Sequence, residues 1–211
     1  MVSPPQMIQN VTFLAESAYI QNLSSFMDVD PYRVRVFYAP HSLVSILPKP
    51  LPLIVFIHGL GAQINQFEPL LNYFGQVADV MAIDLPGCGE SPLTDRRWEL
   101  YTTDALATLV LRVIEEKCPK RKVILVGHSL GALIAGTLAL RLRERCVATV
   151  LLCPKAGISE EERKVIRFIT RLPEFAFNLL RKRDRVYGPH YTSTDRLWGD
   201  KIPECKQNGW S

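Results

Sequence analysis

The stretch that decides the fold is Val123-Ile-Leu-Val-Gly-His-Ser-Leu-Gly131. Its first four residues are apolar and largely β-branched, which suits a strand covered on both faces. Residues 130–145 then switch to small and aliphatic side chains at helical spacing. A serine lifted on a sharp strand-to-helix turn has strained backbone angles and crowded neighbours. The turn therefore needs small residues two positions to either side, and Gly127 and Gly131 meet that need. At the start of the helix, the dipole and free N–H groups favour a developing negative charge. The spacing nominates Ser129 as a nucleophile. The bland alternative is a tight turn holding an incidental serine.

The same stretch also invites a different reading. Residues 123–140 contain no Asp, Glu, Lys or Arg, and Gly127-x-x-x-Gly131 has the form of a helix-dimer motif. However, the glycines fall where a β-type run gives way to a helical one. A buried strand running into a buried helix is the better expectation.

The pattern repeats outward. Leu53-Ile-Val-Phe-Ile57 and Val80-Met-Ala-Ile83 read as further buried strands, and 147–152 as a fourth. Tyr32-Arg-Val-Arg-Val-Phe-Tyr38 alternates in polarity, as a half-buried strand near a sheet edge would. Helices are expected over 65–78, 100–117 and 130–145, and Asp84-Leu-Pro-Gly-Cys-Gly89 reads as a turn. Strand and helix alternate from Leu53 to Cys153. That predicts an α/β class fold, a mostly parallel sheet covered by helices on both faces. Its boundaries are expected as a core over 1–155, with 1–10 a loose leader. Cap-like helices over 156–185 open on the capping box Ser159-Glu-Glu-Glu162, and a poorly ordered tail covers 186–211.

His58-Gly-Leu-Gly61 follows the first buried strand. A site of this type draws one oxyanion donor from the residue after the nucleophile and another from that earlier loop. The backbone N–H groups of Leu130 and Leu60 are the candidates. Gly59-x-Gly61 lacks the third glycine of a dinucleotide fingerprint, and no Walker-type Gly-Lys-Ser/Thr occurs. No cofactor and no metal are expected.

Composition narrows the partners. With 25 basic and 21 acidic residues, the net charge of +4 is too evenly spread to imply nucleic acid. The five cysteines are odd in number and show no zinc-type spacing, and no secretory signal opens the chain, so a reducing, cytoplasmic setting is expected.

His58-Gly-Leu-Gly61, Asp84-Leu-Pro-Gly-Cys-Gly-Glu-Ser91 and Gly127-His-Ser-Leu-Gly131, in this order, resemble the α/β-hydrolase superfamily over about residues 32–153. The resemblance implies a serine-ester mechanism on a small, apolar acyl substrate and a helical cap after the strand ending near Cys153. It implies a turn role for Asp84, and it disfavours the epoxide hydrolase and dehalogenase branches, which carry Asp at the nucleophile position. The chain departs from the family after that strand. His190 is the one histidine beyond Ser129, and no segment there reads as the strands that normally carry the acid and base. A truncated product with an incomplete triad is the expectation. The rival readings are a non-catalytic remnant or binding module, and an acyltransferase. Residues 165–185 mix basic and apolar side chains; a cap helix is favoured there over membrane-surface contact. Oligomeric state is left open.

Overall fold

In a computed structural model of the chain, the structure describes residues 17–41, 51–95, 97–154, 160 and 164. The expected leader, tail and His190 lie outside the described residues, as do the capping box and cap-like helices apart from Glu160 and Lys164. One compact unit spans Ala18–Glu160 and carries the whole sheet.

That sheet has six strands. Strands β1 (Ser24–Val29), β2 (Tyr32–Ala39), β3 (Leu53–Ile57), β4 (Val80–Ile83), β5 (Val123–His128) and β6 (Cys146–Leu152) stand in the order β1-β2-β4-β3-β5-β6. The four strands β4-β3-β5-β6 are parallel, while β1 and β2 join antiparallel. Among the described residues stand helices α1 (Ala18–Leu23), α2 (Glu68–Phe74), α3 (Thr103–Lys117) and α4 (Leu130–Leu142), with short 3-10 turns at Ile64–Phe67, Trp98–Tyr101 and Arg143–Arg145.

The apolar runs explain the layering. Every residue of β3 and β4 is buried, because helices cover both faces of the sheet there. One core cluster joins Val55, Ile57 and Leu125 to Leu109, Val113 and Ile114 of α3 and to Ile134 and Leu138 of α4. The other joins Phe56, Ile54 and Ala82 to Phe67, Leu71 and Ile20. Alternate residues of one strand thus feed opposite layers, as the period of two requires. The uncharged stretch beginning at Val123 is β5 followed by α4, and no helix among the described residues is long and apolar enough to cross a membrane.

Four expectations are adjusted. The strand at 32–38 is not an edge: β2 pairs with β1 on one side and β4 on the other. The helix expected over 65–78 is a 3-10 turn followed by the shorter α2, with Pro69 in its first turn, where a missing N–H costs nothing, and Gly75 at its end. The helix expected over 100–117 starts at Thr103, whose predecessor Thr102 caps it by accepting the Ala105 N–H at 3.2 Å. The helix expected to reach Arg145 ends at Leu142, where Arg143 takes a positive φ of 50°.

At the other end of the sheet, β6 pairs with β5 alone among the described residues. Val147, Val150 and Leu151 are 54%, 43% and 46% exposed, an unusual state for a strand this apolar.

Candidate active site

Parallel strands place their C-terminal ends on one edge of the sheet, and the loops leaving β3, β4 and β5 meet there beside the end of β6. Ser129 stands between β5 and α4 with φ 52° and ψ −114°, a combination that L-residues adopt only under strain. Its N–H donates to the Leu152 carbonyl at 2.9 Å, fastening the turn to the end of β6.

The two flanking glycines are required by contact. A Cβ on Gly127 would collide with the Gly131 backbone, and one on Gly131 would collide with the Ile57 carbonyl oxygen. The helix start is thereby pressed against the end of β3. Leu130 occupies the first position of α4, where backbone N–H groups have no intrahelical acceptor.

The loop after β3 closes on the same turn. A Cβ on Gly59 would stand 3.1 Å from the Ser129 Cβ and 3.1 Å from His128 Nδ1, so this backbone lies directly against the serine turn. Leu60 follows in a tight bend closed by the Ala62 N–H to Gly59 carbonyl bond of 3.2 Å, with Gly61 at φ 71°. The Leu60 side chain is 83% exposed, so it does not anchor the bend. The three residues nominated from sequence, Ser129, Leu60 and Leu130, therefore belong to two neighbouring loops at one edge.

Anchoring comes from Asp84, for which a turn role was expected, and from His58, which the sequence did not mark as an anchor. His58 is fully buried. Its Nε2 accepts the Leu85 N–H at 2.9 Å, which leaves the proton on Nδ1, donating to the Gly59 carbonyl at 2.7 Å. Burial pulls its pKa down to about 4, with His128 nearby adding to the fall against the Gly59 bond. With both ring nitrogens engaged, His58 is a fastener between the loops after β3 and β4.

Asp84 is buried as well and has the turn role that the family resemblance implies. Its Oδ1 accepts the Ile64 N–H at 2.7 Å and its Oδ2 the Glu90 N–H at 3.0 Å, while Arg35 lies 3.9 Å away. Gly89, at φ 54°, passes so close to this carboxylate that any side chain would strike it. Ser91 completes the knot, its Oγ donating to the Asp84 carbonyl at 2.6 Å. His41 sits at the opposite edge, where the strands begin: its N–H reaches Asp79 at 2.7 Å and its Nε2 the Gln76 carbonyl at 2.7 Å. Gln66 was also missed by sequence reasoning. Its Nε2 faces His128 Nδ1 at 2.8 Å, and no short-range signal announces a pair 62 positions apart. Among the described residues no group of three or more His, Cys, Asp or Glu side chains is placed to hold a metal ion.

The sheet order, the strained turn and the loops gathered around it define an α/β-hydrolase class of protein. The chain belongs to the α/β-hydrolase fold family, whose sequence pattern matches residues 52–205. It is 34% identical over 154 residues to an abhydrolase domain-containing protein of Schizosaccharomyces pombe, covering 70% of this chain and 42% of that protein. It is 33% identical over 99 residues to the pimeloyl-[acyl-carrier protein] methyl ester esterase of Hamiltonella defensa, covering 47% and 35%. Other relatives are named as a hydrolase of Bacillus subtilis and as an acetyltransferase component of Pseudomonas putida. The thioesterase domain from the curacin biosynthetic pathway shares the fold, with a TM-score of 0.55 at 21% identity, over 69% of this chain and 51% of that one. The chain spans less than half the length of the Schizosaccharomyces pombe relative.

Proposed function

We propose that the protein is a serine hydrolase of carboxylic esters or related acyl substrates, with Ser129 as the nucleophile. The observation that carries this reading is the backbone of Ser129. Arg143 at the end of α4 has nearly the same angles, so strain alone is not the signal; at Ser129 it coincides with a strand-to-helix junction pressed against the Gly59 backbone and flanked by two glycines that admit no Cβ. In the proposed step Ser129 Oγ attacks the acyl carbonyl carbon, and the N–H groups of Leu60 and Leu130 receive the charge that develops on its oxygen. The esterase name of the Hamiltonella defensa relative supports an acyl ester as substrate.

The base is the open position. Among the described residues, His58 has both nitrogens bonded to backbone, His41 stands at the far edge of the sheet, and His128 faces the Gln66 amide through Nδ1. None of these three is assigned as the acceptor of the Ser129 proton. An acyltransferase using the same serine is the second reading, favoured by the acetyltransferase name among the relatives. The test is covalent labelling with a fluorophosphonate. Adduct formation on wild type that disappears in Ser129→Ala supports the proposal, and an unlabelled wild type supports a non-catalytic member of the fold.

A further inference from the structure

His128 precedes the serine, and its ring lies in a confined place. On one side is the Gly59 backbone, so close that a Cβ there would be 3.1 Å from Nδ1. On another is Gln66, whose amide nitrogen faces the same Nδ1 at 2.8 Å. Gln66 belongs to the 3-10 turn at Ile64–Phe67, which Asp84 secures through the Ile64 N–H at 2.7 Å. That turn is continuous in sequence with Gly59 and Leu60. Since the Leu60 side chain anchors nothing, the bend carrying its N–H depends on the contacts to either side of it.

We propose that Gln66 is a positioning residue: its amide donates to His128 Nδ1 and clamps the Gly59–Leu60 bend against the Ser129 turn, setting where the Leu60 N–H stands relative to Ser129. The clamp rests on the hydrolase reading for its purpose, though not for its geometry. An amide donor at Nδ1 makes that nitrogen an acceptor, so the neutral ring carries its proton on Nε2. Burial favours that neutral ring, holding the His128 pKa below the ordinary histidine value. Gln66 Oε1 is buried with no hydrogen-bond partner among the described residues. One strong bond is thus made at the expense of the other amide end, an arrangement that a solvated surface glutamine would not keep.

The experiment has two arms. Long-range proton–nitrogen spectra of 15N-histidine-labelled protein read the His128 tautomer, with His128→Ala assigning its signals, and hydrogen exchange reads the Leu60 amide. Wild type should carry the proton on Nε2. Gln66→Met keeps the volume without the donor; it should mix the tautomers and speed Leu60 exchange by about tenfold, a factor that follows from one lost hydrogen bond. In the second arm, the rate of Ser129 phosphonylation at saturating fluorophosphonate should fall by a similar factor in Gln66→Met. The half-saturating concentration should hold, and Gln66→Met/His128→Ala should be no slower than His128→Ala. A proton on Nδ1 in wild type, an unchanged spectrum in Gln66→Met, or losses that multiply in the double variant would overturn the clamp. The expected spectra and exchange with an unlabelled wild type would uphold the clamp and overturn the hydrolase reading alone.

Discussion

His58 Nε2 accepts the backbone N–H of Leu85 at 2.9 Å, joining the loops after β3 and β4 through one neutral imidazole. The bond exists only while Nε2 is unprotonated. In the fold the pKa of His58 is depressed to about 4, against 6.5 for the free side chain. Between those values the unfolded chain binds a proton that the native one does not. The stabilisation is therefore fully present above pH 6.5 and is lost as pH falls toward 4. The total is about 3 kcal/mol, at roughly 1.4 kcal/mol per pKa unit. Urea titrations at stepped pH should show this loss, and His58→Asn should flatten it.

The glycines of α4 offer a matched pair. Gly131→Ala drives a methyl into the Ile57 carbonyl oxygen and should cost more than about 3 kcal/mol, or prevent folding. Gly136→Ala, in the same helix, meets nothing within 4 Å and should stabilise by roughly 0.5–1 kcal/mol through helix propensity. Thermal melts of the two variants decide it.

Only part of this fold is legible in the sequence. Strands β3 and β4 are, because an unbroken apolar run has few other places to go, and so is the serine turn, because its glycines sit at fixed short spacing. Strand β1 is not: Ser24-Ser25-Phe-Met-Asp-Val29 buries only two of its residues and owes its state to pairing with β2. Nor is the sheet order, which seats β2 beside β4, because long-range pairing leaves no local trace. At the site, His58 and Asp84 are visible as residue types in family-like positions. Their partners Leu85 and Ile64 act through backbone N–H groups, which every residue but proline carries, so nothing in the sequence marks them.

Asp84 separates a structural from a catalytic carboxylate. Asp84→Ala removes the acceptor from the buried Ile64 N–H and the part-buried Glu90 N–H, and one of the two carboxylates beside Arg35, leaving Glu90 at 3.5 Å. The expected loss is about 2–4 kcal/mol of stability. A variant that melts like wild type yet fails to react with a fluorophosphonate would instead make Asp84 part of the chemistry.

The exposed side chains of β6 carry a consequence for handling. A strand with one partner among the described residues, and with Val147, Val150 and Leu151 open to solvent, is a template for association. Light scattering should show concentration-dependent association that Val150→Lys reduces. A monodisperse wild type across the accessible concentrations would contradict this.

Turnover of short p-nitrophenyl esters should depend on Ser129 and fall by several orders of magnitude in Ser129→Ala. A comparable fall in His190→Ala would make His190 the base, and turnover that survives Ser129→Ala would contradict the nucleophile role.

Ser129 is proposed as a nucleophile held in a site built to receive an anion, and one covalent measurement bears on that most directly. Intact-mass analysis after prolonged exposure to a fluorophosphonate counts the adducts, and peptide mapping locates them. Labelling requires a single attack and no deacylation, so it reports on the serine even where turnover is slow. One adduct per chain is expected, on the peptide carrying Ser129, and none in Ser129→Ala. A wild type that stays unmodified, or an adduct that survives Ser129→Ala, would contradict the nucleophile role.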